Sequence, residues 1–97
     1  MSKAELLVLL GGQRETLRRR YGVKSLAVFG SAARDTMSST SDIDVLVEFD
    51  TPPGFDRYFD LKFFLEELLG RPVDLVTRGG LRNELRARVE AEAINVA

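Results

Sequence analysis

At 97 residues, with 14 basic and 15 acidic side chains and a formal net charge of −1, the chain has room for one hydrophobic core and no charge excess pointing to nucleic acid. The absence of cysteine and histidine excludes disulfides, thiolate or imidazole catalysis and the usual zinc ligand sets. Carboxylates, hydroxyls and basic side chains must carry any chemistry, an inventory that favours a hard, oxygen-ligated ion such as Mg2+.

A single domain over residues 1–97 is expected. Leu6 to Leu10, the longest apolar run near the start, is too short to span a bilayer and lacks a signal-peptide cleavage pattern, so the expected location is cytoplasmic, with no membrane partner. Ser2-Lys3-Ala4-Glu5 fits a capping box and predicts a helix start. Leu6, Leu10, Leu17 and Tyr21 then share one helical stripe. Gly11-Gly12 weakens this helix by about 1 kcal/mol per glycine relative to alanine, enough to permit a bend or break, and Gly22 is placed to end it in a left-handed turn.

Ser25 to Phe29 is apolar on both faces, as in a strand covered on both sides, and delivers the chain to Gly30-Ser31. The spacing predicts a short helix over Ala32 to Thr36 with Ser31 as its cap, then loop over Met37 to Thr40. Taken alone, Gly30-Ser31 is no more than a strand-turn-helix connection, although such a turn also lets backbone approach a phosphate closely. Ile43, Val45 and Val47 alternate with Asp42, Asp44 and Leu46, which predicts a half-buried strand with both acids on its outer face. A spacing of two puts the carboxylates on one side, where mutual repulsion raises one pKa unless a cation sits between them. A solvated edge would also hold two aspartates. Aspartate fits strands poorly, however, and residues set against local propensity mark function.

Thr51-Pro52-Pro53-Gly54 is turn chemistry. Beyond it Tyr58, Leu61, Phe64, Leu65, Leu68 and Leu69 define the buried side of a helix ending at Gly70. Phe59 and Phe63 fall on its other side, either as a contact surface for another chain or beneath a loop. Arg71 to Val76 reads as a third strand carrying Asp74; if it lies beside the strand of Asp42 and Asp44, three acids converge. Leu81, Leu85 and Val89 form the inner stripe of a last helix, with Glu84 and Arg88 paired outside. Arg78, Arg82, Arg86 and Arg88 read as a solvated face, with Arg82 or Arg86 available to a nucleotide or an acidic partner. Ala93 to Ala97 adds a short strand.

Gly30-Ser31, a spacer, Ser41-Asp42-Ile43-Asp44 and the later Asp74 together resemble the DNA polymerase beta-type nucleotidyltransferases. In length and order the whole chain resembles their minimal nucleotidyltransferase (MNT) group, which typically provides the antitoxin of HEPN/MNT toxin-antitoxin pairs. The resemblance implies a nucleotidyltransferase fold of the α/β (α+β two-layer) class, a small mixed β-sheet packed with about four helices. It implies transfer of AMP from ATP to a hydroxyl, with release of pyrophosphate. Asp42 and Asp44 would bridge two Mg2+ ions; Asp74 would complete the second ion's shell and accept the hydroxyl proton. Backbone near Gly30 and the Ser31 hydroxyl would hold the β or γ phosphate, with Ser41 in the nucleotide-binding set. Arg34 would neutralise the leaving pyrophosphate, unless it forms only a surface salt bridge.

The implied acceptor is a tyrosine of a HEPN ribonuclease toxin in a hetero-oligomer, with a homodimer left open. A non-catalytic antitoxin that occludes its HEPN partner is the alternative. A transferase acting on a small molecule is a further one, disfavoured because nothing in the chain supplies the acceptor domain of larger relatives. Asp35 departs from the family pattern, which often has glycine there, and an acid at that point is expected to crowd a triphosphate.

Overall fold

A computed structural model describes residues 1–38 and 40–97. Ser39, inside the loop expected over Met37 to Thr40, lies outside the described residues. The first helical stripe folds as two helices, α1 (Lys3–Gly11) and α2 (Arg14–Tyr21). Ser2 caps α1, its hydroxyl accepting the Glu5 N–H at 3.2 Å. The Gly11-Gly12 weak point becomes a full break, so the described residues form five α-helices where about four were expected. Both pieces still turn the predicted stripe inward, with Leu6, Leu10 and Leu17 fully buried. Gly22 ends α2 at φ 65, a conformation that side chains with a Cβ resist.

Strand β1 (Val23–Phe29) leads into the five-residue helix α3 (Gly30–Arg34). Strand β2 (Ile43–Phe49), helix α4 (Phe55–Leu69) and strand β3 (Val73–Thr77) follow. After a 3-10 turn at Arg78–Gly80, helix α5 (Asn83–Glu92) and the two-residue strand β4 (Ile94–Asn95) complete the fold. The sheet order is β3-β2-β1-β4. β1 runs antiparallel to β2 and β4, while β2 and β3 are parallel, which makes the sheet mixed. Since β2 and β3 must be joined by a crossover, α4 lies across one face of the sheet.

That face holds the main core. Ile43, Val45 and Val47 meet Leu26 and Val28 of β1, Val73 and Leu75 of β3, and Leu6, Leu10, Leu17, Leu61 and Leu65 from the helices. A smaller cluster of Ala27, Leu46 and Val89 occupies the opposite face beneath α5. The predicted half-buried strand is therefore corrected. Leu46, on the same side as the acids, is only 1% exposed because α5 covers its end of that face. Asp44 lies toward the other end, beyond the cover. Two further expectations change. α3 begins at Gly30, so Ser31 sits in its first turn rather than at its cap. Leu85 is 43% exposed, since α5 reaches the sheet mainly through Val89 and not along a full stripe.

Polar side chains tie the helices to the sheet ends. Glu66 of α4 accepts the Val73 N–H at 2.9 Å, satisfying the start of the edge strand. Arg57 donates to Asp50 at 3.1 Å and to the Thr51 carbonyl at 2.6 Å, closing the proline turn before α4. Among the described residues, no helix is long and apolar enough to cross a membrane.

Truncating Leu65, wholly buried under the sheet, removes transfer free energy and leaves a cavity. Leu65→Ala is expected to cost roughly 2–5 kcal/mol in a urea-unfolding experiment. Val8→Ala, at a position 75% exposed, should stay within about 0.5 kcal/mol of the parent. Equal losses at the two sites would contradict this placement of the core.

Candidate active site

The parallel pairing of β2 with β3 sets Asp44 directly opposite Asp74 in register. On the other side of β2, Asp44 is paired with Phe29, the last residue of β1. The next residue is Gly30, at φ 67. A Cβ built on Gly30 would stand 2.2 Å from Asp44 Oδ2, so a side chain at residue 30 would collide with the carboxylate. Glycine is thus needed twice there, for the left-handed backbone and for the close approach. The structure brings Gly30, Asp44 and Asp74 into one place. Asp42 stands exposed, one residue before β2 begins.

The electrostatics follow from that crowding. Asp44 is raised from the usual carboxylate range to about 6, first by burial, then by the neighbouring charges of Asp74 and Asp42 and a hydrogen bond shared with Asp74. Arg34 opposes the shift. Among the described residues no three acid, histidine or cysteine side chains are grouped to enclose a metal ion. The Asp44 and Asp74 pair nevertheless fits a hard divalent cation. Both donors are oxygen, and a positive ion between them relieves the repulsion that raises Asp44. Asp42 is near enough for its charge to act on Asp44.

The other predicted residues divide. Arg34, at the end of α3, forms an ion pair with Glu92 of α5, Nη1 to Oε2 at 3.0 Å. Glu92 Oε1 also accepts the Gly30 N–H at 2.8 Å. These contacts, the Gly30 hydrogen bond foremost, hold the Glu92 carboxyl below its usual range. Ser31 lies in the first turn of α3 immediately after Gly30. Ser41 spends its hydroxyl on the Ser38 N–H at 3.0 Å, inside the loop that precedes β2. Arg71 pins that loop by donating to the carbonyls of Ser38 and Ser41, the latter at 2.8 Å. Asp35 adopts the left-handed conformation at φ 58, which aspartate tolerates better than most residues. Its Oδ1 accepts the Lys3 N–H at 3.0 Å, so the acid expected to crowd a triphosphate is instead committed to the first turn of α1.

Glu92, Arg71 and Tyr58 were not singled out from the sequence. Tyr58 donates its hydroxyl to the Leu75 carbonyl, one residue past Asp74, and burial and Asp74 raise its pKa. For Glu92 a signal existed. An acid in the last turn of a helix opposes the macrodipole, and α5 has no basic residue in that turn to offset it.

A profile of the nucleotidyltransferase domain family matches residues 10–96. A relative from Methanocaldococcus jannaschii named as a protein adenylyltransferase is 39% identical over 94 residues, covering 96% of each chain. A solved minimal nucleotidyltransferase is 41% identical with a TM-score of 0.76, covering 91% of this chain and 93% of the other. The fold also matches the MNT antitoxin complex with a tri-AMPylated HEPN toxin from Shewanella oneidensis, at TM-score 0.67 and 20% identity over 94% of this chain and 71% of that one.

Folding raises the Asp44 pKa, so the native state binds that proton more tightly than the unfolded chain does. In the absence of divalent cations this group therefore weakens the fold progressively as pH rises from about 4 to about 6, and by a constant amount above that. Asp44→Asn removes the effect. Its melting temperature should exceed that of the parent near pH 7 and converge with it near pH 4. A difference independent of pH would contradict the raised carboxyl.

Proposed function

The chain belongs to the nucleotidyltransferase domain family and is an enzyme of that kind, and from that premise we propose that it transfers AMP from ATP to a tyrosine hydroxyl of a HEPN ribonuclease toxin, silencing it. The observation that carries the reading is the Gly30 backbone lying against Asp44, with Asp74 in register beside it. A phosphate-holding turn and a cation-holding acid pair thereby share one space. The protein adenylyltransferase name of the M. jannaschii relative supports the chemistry. The fold match to an antitoxin in complex with an AMPylated HEPN toxin motivates the choice of partner.

In this mechanism Asp42, Asp44 and Asp74 would hold two Mg2+ ions, and the metal would supply charge neutralisation of the triphosphate and a lower pKa for the attacking hydroxyl. Ser31 and the N–H groups that follow Gly30, whose own N–H is taken by Glu92, hold the triphosphate tail, and Arg34 offsets its charge. The acceptor oxygen forms a bond to the α-phosphorus while the bond to the bridging oxygen of pyrophosphate breaks, and that oxygen keeps the electron pair. Asp74, exposed at the end of the acid row, takes the proton from the hydroxyl. Positioning and charge supply the acceleration, and no covalent enzyme intermediate is needed.

The partner surface proposed is on α4. Phe55, Phe59 and Phe63 stack along it with ring centroids 4.6 Å and 6.0 Å apart, and Phe55 and Phe63 remain 79% and 58% exposed. An open groove of about 1140 Å³ between α2 and α4 runs beside them, edged by Arg20, Asp60 and Phe63. Clustered exposed aromatics of this sort mark interfaces more often than single ones do.

Incubation with Mg2+, labelled ATP and a HEPN partner should place label on that partner, and Asp44→Asn or Asp74→Asn should reduce transfer by at least about 100-fold. Neutralisation of the toxin that survives Asp44→Asn without label transfer would establish occlusion instead. The double substitution Phe59→Asp with Phe63→Asp should abolish co-purification with the toxin while leaving thermal stability near that of the parent. Unchanged co-purification would remove α4 as the docking surface.

A further inference from the structure

We infer that Glu92 is a positioning residue, a brace from the end of α5 that orients Arg34 and fixes the Gly30 turn for the triphosphate. This inference rests on the proposed nucleotide site and adds a residue to it. One carboxylate makes both contacts. Oε1 accepts the Gly30 N–H at 2.8 Å, and Arg34 Nη1 reaches Oε2 at 3.0 Å and Oε1 at 3.3 Å. The contacts join residues 62 and 58 positions apart in sequence, so the end of α5 is tied directly to the turn between β1 and α3.

Three features argue that the brace serves the site and not the helix. An acid in the last turn of α5 opposes that helix's dipole, and Arg88 one turn earlier acts on Glu92 less than Gly30 and Arg34 do, so contacts outside the helix dominate at this residue. The Gly30 backbone it holds forms the wall against which Asp44 packs, so movement of the turn would move the acid pair's surroundings. The guanidinium of Arg34 spends only Nη1 on Glu92, leaving Nη2 and Nε aimed by a fixed fork. Arg34 is otherwise a half-exposed side chain, 52% accessible, and without a partner it would have many rotamers to lose on gripping a phosphate.

The rival role has the opposite sign. If Glu92 merely occupies donors that a phosphate needs, removing it should tighten nucleotide binding. Calorimetric titration of the full chain with MgATP, together with the kinetics of AMP transfer, separates the two. Glu92→Ala is expected to weaken MgATP binding and raise KM by roughly tenfold, with kcat changed less than about twofold. Glu92→Gln keeps an acceptor for the Gly30 N–H but removes the carboxylate charge that pairs with Arg34, and should fall between the parent and Glu92→Ala, at roughly threefold. In an Arg34→Ala background the Glu92→Ala effect should shrink from about tenfold to about threefold, the part carried by the Gly30 hydrogen bond alone, which a general loss of folding would not produce.

Thermal unfolding of each variant identifies any that fails to fold, and Glu92→Gln then carries the comparison. Binding by the variants equal to or tighter than the parent, or an effect undiminished in the Arg34→Ala background, overturns the brace. A parent chain that neither binds MgATP nor transfers label overturns the nucleotidyl-transfer reading itself, whatever Glu92 does.

Discussion

Repulsion between Asp44 and Asp74 is the constraint around which the molecule is arranged. Parallel pairing of β2 with β3 fixes the two carboxylates side by side, and partial burial denies Asp44 the water that would screen them. Left to themselves such groups would separate or share a proton. They stay together because each belongs to a strand whose neighbours, Ile43, Val45, Val73 and Leu75, are locked into the main core on the opposite face. Hydrophobic packing on one side of the sheet thus holds an unfavourable charge arrangement on the other.

The second half of the site is positioned by backbone. β1 ends opposite Asp44, and the chain turns at once through Gly30 into α3, so the distance between acid and turn is set by sheet register instead of by loop conformation. α5 covers the far end of this face through Val89 and Leu46, and its last turn reaches back to Gly30 and Arg34 through Glu92. The short strand β4 pairs with β1 just beyond, anchoring the segment that follows Glu92. Secondary structure from both ends of the chain therefore converges on a turn of a few residues.

Much of this was legible in the sequence because it depended on local periodicity. The alternation around Asp42 and Asp44 and the α4 stripe express repeats of two and 3.6 residues, and the Gly30-Ser31 turn is marked by its residue types. What the sequence did not reveal depended on contacts across long separations. Burial of Leu46 required knowing that α5 crosses the outer face, and Leu85 looked internal until the packing of that helix showed Val89 making the contact. Asp35 read as an obstruction because its bond to the Lys3 N–H spans 32 residues and has no local signature. Asp42 itself was assigned to the strand, but lies one residue before it.

The acid pair and the glycine-serine turn are proposed to bind one metal-loaded triphosphate between them. Crystals of the chain grown with Mn2+ and a non-hydrolysable ATP analogue test it most directly, because anomalous scattering locates the ion independently of the nucleotide. Mn2+ is expected in direct contact with carboxylate oxygens of Asp44 and Asp74, with the phosphate tail against Ser31 and the first turn of α3. Manganese bound elsewhere, or a nucleotide whose phosphates avoid that turn, would contradict it.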